Sequence, residues 1–176
     1  MRLILVLMVC FSLDQTCFAI QSDSYRLPAS ARVLLNRRFP GWRFSDVSPQ
    51  VQQYVKEYLD GASPVVVRGD FDGDGRRDYA ALIRRGRVVN ADERAFGAGN
   101  LLVIFLKRTK GYRMHVVKEP GGEYIMLATK GTGGYNYHTD KRIKYANDAI
   151  VAIIFEKGGQ SYVYWKGRFV SFVSID

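Results

Sequence analysis

A chain of 176 residues with 47% hydrophobic residues and a formal net charge of +9 is long enough to bury a real core as one domain. Its basic residues are spread in pairs, such as Arg37-Arg38, Arg84-Arg85, Lys107-Arg108 and Lys141-Arg142. No dense basic run or nucleic-acid fold motif accompanies them, so the charge reads first as a soluble surface with excess Lys and Arg, next as one suited to anionic surfaces, and not as a nucleic-acid site. The two cysteines, Cys10 and Cys17, lie near the N-terminus, which excludes a disulfide framework or a Cys-based zinc site in the rest of the chain.

Met1-Arg2 precedes an uncharged apolar run, 3–13, and Cys17-Phe18-Ala19 offers small residues at −3 and −1 of a cut after Ala19. This pattern reads as a Sec-type secretory signal peptide over 1–19, because the run is too short to cross a bilayer. The expected destination is periplasmic or secreted, with a single α+β domain over 20–176 and no transmembrane helix in the mature chain. Neither cysteine has the small-residue context of a lipid-attachment site.

The spacing predicts a first helix over 28–39, with Val33, Leu34 and Phe39 on its apolar face and Pro40-Gly41 as its stop. Trp42 and Phe44 read as core-filling aromatics in the connection. Ser48-Pro49 supplies a cap and a first-turn proline for a second helix. There Val51, Tyr54, Val55, Tyr58 and Leu59 recur at helical spacing, and Gly61 ends the element.

From Pro64 onward the chain reads as short strands. A hairpin over 64–85 comes first, then a polar loop over 86–100. Strands follow at 101–106, 112–117, 124–128, 149–155, 162–165 and 169–173, with turns at Arg108-Thr109-Lys110-Gly111, Gly158-Gly159 and Lys166-Gly167. Two helices before about seven or eight strands give an α+β order, expected as two N-terminal helices packed on one curved antiparallel sheet.

Within the first hairpin lies Gly69-Asp70-Phe71-Asp72-Gly73-Asp74-Gly75-Arg76-Arg77-Asp78. Asp occupies loop positions one, three, five and nine, with Gly75 at six, where only Gly takes positive φ without steric cost. Asp70, Asp72, Asp74 and Asp78 can surround one point, and the Arg76 carbonyl at position seven can join them. Calcium takes six to eight hard oxygen ligands, which this supply suits. Without a cation, carboxylates held so close raise one another's pKa values. Position twelve is Ala81 where an EF-hand has a bidentate Glu, and the approach Pro64-Val65-Val66-Val67 reads as a strand, so strand–loop–strand is preferred.

In that form the stretch GDFDGDGRRDYAALI resembles the calcium loop of FG-GAP and VCBS repeats. The resemblance implies Ca2+ held by Asp70, Asp72, Asp74 and Asp78. It covers this hairpin alone, and the motif occurs once, so a repeat propeller is not implied.

Other chemistry has less to stand on. The segment 131–140, Gly-Thr-Gly-Gly-Tyr-Asn-Tyr-His-Thr-Asp, reads as a long inter-strand loop in which Tyr135 and Tyr137 could stack on a ligand and His138 or Asp140 could hydrogen-bond to it. It lacks the GK[ST] ending of a phosphate loop. His115 reads as a structural strand histidine. Glu93, Glu119, Glu123 and Asp140 sit in or near loops with nothing pairing them, and Asp148 and Asp176 have ordinary loop or terminus explanations. Tyr162 and Tyr164 share a strand face that could be aromatic and ligand-binding.

There is no GxSxG elbow and no HExxH. The leading expectation is an exported, non-enzymatic binding or accessory protein with a structural calcium site, whose partner is another exported protein or an anionic envelope polymer. The alternative is a small envelope hydrolase using the 131–140 loop.

Overall fold

The computed structural model describes residues 26–60, 62–85 and 99–174. The expected signal peptide and nearly all of the 86–100 loop, Glu93 included, lie outside the described residues, as does Asp176. The elements run α1 (Ala29–Arg38), β1 (Arg43–Phe44), α2 (Pro49–Tyr58), β2 (Val66–Gly69), β3 (Asp78–Arg84), β4 (Asn100–Arg108), β5 (Gly111–Lys118), β6 (Tyr124–Ala128), β7 (Gly133–Asn136), β8 (Lys141–Lys144), β9 (Ala149–Ile154), β10 (Gly158–Trp165) and β11 (Arg168–Ser174). The chain is α+β, and every strand pairing is antiparallel.

One curved sheet of seven or eight strands is not what forms. Eleven strands among the described residues divide into a five-stranded sheet, a four-stranded sheet and a two-stranded ribbon. In the first sheet β3 is central: β4 lines one edge, and β2 and β1 share the other end to end. β5 completes it beyond β4. The second sheet runs β11-β10-β9-β6, and β7-β8 is the ribbon.

The first sheet is covered on both faces. Tyr112 of β5 meets Tyr79 and Phe105 edge-on, while His115 of the same strand meets Tyr164 and Phe169 of the second sheet. Residues 80–83 and 102–106 are fully buried as continuous apolar runs, so side chains on both faces are withdrawn from water. This burial explains why 78–83 shows no period of two: a strand covered on both faces needs no polar side.

Helix α1 packs against β5, and its inward stripe is Leu27, Ala31, Leu35 and Phe39, spaced by four. Val33, expected on the apolar face, is 64% exposed. Alanine at 31 is small enough to bring the backbone close, and that turns the helix so that Val33 points to water. In α2 the Ser48 hydroxyl accepts from Val51 N at 3.3 Å, with Pro49 behind it, as the cap requires. Val51 and Val55 pack with Tyr124 in a smaller cluster, whereas Tyr58 is exposed.

Two turns differ from expectation. Gly158 and Gly159 lie within β10, paired with Ile154 and Ile153, because the reversal comes at 155–157 with Glu156 at φ 59°. A Cβ on Gly159 would stand 2.8 Å from the Ala152 carbonyl, so glycine is needed there for close approach. The 131–140 segment is not a long loop. Its Gly133–Asn136 part pairs with 141–144, and Asn136 Oδ1 accepts from His138 N and Thr139 N at 3.0 and 3.3 Å to make a tight turn.

The two faces of α1 make a direct test. Leu35→Ala is expected to cost about 2–5 kcal/mol in equilibrium urea unfolding. Val33→Ala is expected to stay within about 0.5 kcal/mol. Equal losses would mean that the helix is rotated from the orientation described.

Candidate metal centre

The β2–β3 connection is built as strand–loop–strand, closed by the Gly69↔Asp78 pair. Phe71, the second loop residue, is wholly buried and belongs to the main core, so the loop wraps around an anchored ring. Its N–H donates to Asp78 Oδ2 at 2.9 Å. Gly75 N donates to Asp70 Oδ2 at 2.9 Å, and Arg76 N to Asp74 Oδ1 at 2.9 Å. Gly75 has φ 80°, and Gly73 matches it at 77°. Gly73 is also confined, since a Cβ there would meet the Asn147 amide at 2.6 Å.

The carboxylates of Asp70, Asp72 and Asp78 each bring an oxygen within 4.8 Å of the others. Asp70 Oδ1 and Asp72 Oδ1 are buried and have no hydrogen-bond partner among the described residues. In each of these two residues the second oxygen is tied down, by Gly75 N for Asp70 and by Arg108 for Asp72. Each of these two carboxylates thus has one oxygen held and one without a partner, an arrangement that suits a cation's ligands because an unpaired buried carboxylate oxygen is costly.

Asp74, expected as a fourth ligand, stands outside this group. Its Oδ2 lies 3.4 Å from Arg108 Nη1 and 3.9 Å from Arg76 Nε, so two guanidinium groups draw it outward. Arg76, expected to add a carbonyl, spends its N–H on Asp74 and its side chain on Asp74 and Thr109.

Asp78 is the most buried of the four. It is fully buried at the start of a central strand, accepting from Phe71 N and, at 2.7 Å, from Lys107 N. Burial pushes its pKa up to about 6 and the charges of Asp72 and Asp74 add to this, against the pull of the two N–H donors.

Three residues around the loop carry no motif. Asp148, read from sequence as an ordinary loop residue, accepts from Asp70 N through Oδ2 and from Lys130 N through Oδ1, both at 2.8 Å. Its own N–H returns a bond to Asp70 O at 3.3 Å. Asn147 abuts Gly73. Arg108, at the end of β4, reaches Asp72 Oδ2 at 2.7 Å. No spacing rule connects these positions to the loop, because tertiary pairing alone brings them there.

The remaining candidates are dispersed. His115 contacts the Tyr164 and Phe169 rings, and its Nε2 is buried with no hydrogen-bond partner among the described residues. Burial first, and then Arg113 and Arg108, hold its pKa below the usual value. His138 is exposed in the β7–β8 turn, and the Asp140 carboxylate accepts from the Tyr135 hydroxyl. Glu123 is buried and accepts from Phe155 N. Tyr162 is a core residue whose hydroxyl donates to the Pro120 carbonyl, and burial raises its pKa to about 12.

Among the described residues no helix is long and apolar enough to cross a membrane. Comparison with protein-family models, with curated proteins and with solved structures gave no match.

The raised Asp78 pKa makes a signed prediction. The fold prefers the neutral carboxyl, so Asp78's contribution to stability is complete below its ordinary 3.8 and is lost as pH rises through about 6. His115 acts in the opposite sense: its contribution is present above 6.5 and is lost as pH falls through its lowered value. Carboxyl-carbon NMR separates the two, and in EDTA the Asp78 signal should titrate near pH 6. A midpoint at the ordinary aspartate value would show that its burial is not as described.

Proposed function

We propose that this chain is an exported, non-enzymatic binding or accessory protein whose β2–β3 loop is fixed by a structural calcium ion. The observation that carries the reading is the pair of orphaned buried oxygens, Asp70 Oδ1 and Asp72 Oδ1, beside Asp78. Asp70, Asp72 and Asp78 hold the ion, with Asp74 and the Arg76 carbonyl completing the shell when they turn inward. All are hard oxygen donors, which favours calcium over softer metals. The strand–loop–strand setting agrees with the FG-GAP/VCBS-type hairpin that the sequence resembles. The apolar, uncharged 3–13 segment supports export, where millimolar calcium can fill a weak site.

The binding face we assign is the outer side of β7–β8. Gly134 and Ile143 are opposite one another and face inward, Gly134 against Tyr145 and Ile143 against the Tyr145–Phe172 cluster. Alternation then turns Tyr135, its partner Arg142, and Lys144 outward. Tyr137 joins Tyr135 at 4.8 Å between ring centres, and Lys130, Lys141, Arg142 and Lys144 are all exposed. Paired tyrosine rings beside several cations suit an anionic polymer of the envelope.

Two measurements test these assignments. Calcium in ten- to hundredfold excess over its dissociation constant stabilises by about 1.4–2.7 kcal/mol, so the thermal midpoint should rise by a few degrees over that in EDTA. Asp70→Asn/Asp72→Asn should abolish the rise, and a wild-type midpoint that ignores calcium would refute the site. For the surface, Arg142→Ala/Lys144→Ala should elute from an immobilised polyuronate at clearly lower salt than Arg37→Ala/Arg38→Ala. Equal elution would mean that net charge alone, and not this face, binds the polymer.

A further inference from the structure

The carboxylates of the loop already hold two cations of the protein's own, Arg76 on Asp74 alone and Arg108 on both Asp72 and Asp74. Arg108 sits at the end of β4 opposite Gly111, with Nη1 donating to the Lys107 carbonyl at 2.8 Å. That bond aims the rest of the guanidinium at the loop: Nη2 meets Asp72 Oδ2 at 2.7 Å, and Nη1 lies 3.4 Å from Asp74 Oδ2. The Asp72 side chain is only 6% exposed and that of Arg108 33%, so the pair is partly withdrawn from water and only partly screened. Asp74 stands outside the converging group on the Arg108 side.

We propose that Arg108 is an internal competitor for the metal: a divalent ion must displace its guanidinium from Asp74 and loosen it from Asp72, so this one side chain sets the affinity of the loop. The inference rests on the loop being a metal site. The two cations draw on the same carboxylates, and a positive charge fixed beside Asp72 repels a second one placed on its other oxygen. Asp74 can complete the shell only by leaving Arg108. The guanidinium in turn keeps the loop folded without metal, because it neutralises a carboxylate that would otherwise be buried unpaired. A simple positioning role for Arg108, holding Asp72 toward the ion, predicts the opposite sign when it is removed.

The test is a terbium luminescence titration with calcium competition at pH 7.5, on purified wild type, Arg108→Gln and Arg113→Gln. Arg108→Gln is expected to bind calcium about tenfold more tightly while melting lower in EDTA, consistent with a charge effect of this order at a partly buried pair. Arg113→Gln removes an exposed charge from β5 and should change affinity far less.

Unchanged or weaker binding by Arg108→Gln, with wild type binding normally, overturns the proposal and leaves the metal site standing. No binding by any of the three ends both. Should Arg108→Gln fail to fold, wild type alone decides through the guanidinium protons of Arg108 in NMR. Slow exchange in EDTA that becomes fast on calcium saturation supports displacement, and protons that stay slow overturn it.

Discussion

Several carboxylates brought to one point at the edge of a dry core constrain the rest of this structure. Asp78 opens a central strand and is wholly buried, and Asp72 is nearly so. Two buried anions with a third beside them cannot be stable unless donors or cations answer them. The fold supplies Phe71 N, Lys107 N and Gly75 N from the backbone, and the guanidinium of Arg108. Two buried oxygens still lack partners among the described residues. A divalent ion placed there would answer that remainder and turn mutual repulsion into shared attraction.

The loop matters beyond its own hairpin because Asp148 joins it to the second sheet. One carboxylate accepts from Asp70 N at the start of the loop and from Lys130 N at the base of the ribbon, while Asp148 N returns a bond to Asp70 O. The ribbon's far side is held by Tyr137 N on the Val173 carbonyl. Its inner side rests on Tyr145, whose hydroxyl bonds to that of buried Ser161, which in turn bonds to that of Ser174. Fixing the loop therefore steadies the base of β7–β8, the element that carries the exposed tyrosines and cations. This is a mechanical link, made by named hydrogen bonds, and needs no second conformation.

What the sequence showed and what it concealed follow from the range of the interactions. Both helices were legible because Ser48-Pro49 and the Pro40-Gly41 stop act within a few residues. Most strands were legible because β-branched runs and glycine turns are equally local. The convergence of Asp70, Asp72 and Asp78 was legible because three positions of one short segment carry it, whereas the outward turn of Asp74 depends on the distant Arg108. The division into two sheets and a ribbon was not, since strands covered on both faces lose their alternation and register is set by distant partners. The rotation of α1 was misread because Ala31 and Leu35 pack inward by fitting closely rather than by being more apolar than Val33. Asp148 and Arg108 were beyond any motif: one is 78 positions from Asp70 and the other 36 from Asp72, and only pairing in space reveals them.

The same geometry bears on whether a bound ion would be structural or would work as a switch. A sensor needs an element with two packings of similar free energy. Here the loop's second residue, Phe71, is fully buried in the main core, and Asp78 is registered against Gly69 of β2 while its carboxylate accepts from Lys107 N of β4. Moving either would open the centre of the first sheet, at the cost of burying less apolar surface. The parts free to respond are the outer ones, Asp74 at the loop's exposed side and the guanidinium groups that hold it. Metal binding can thus exchange one set of charge partners for another while the strands stay in register. That would restrict its consequence to stiffness and local charge.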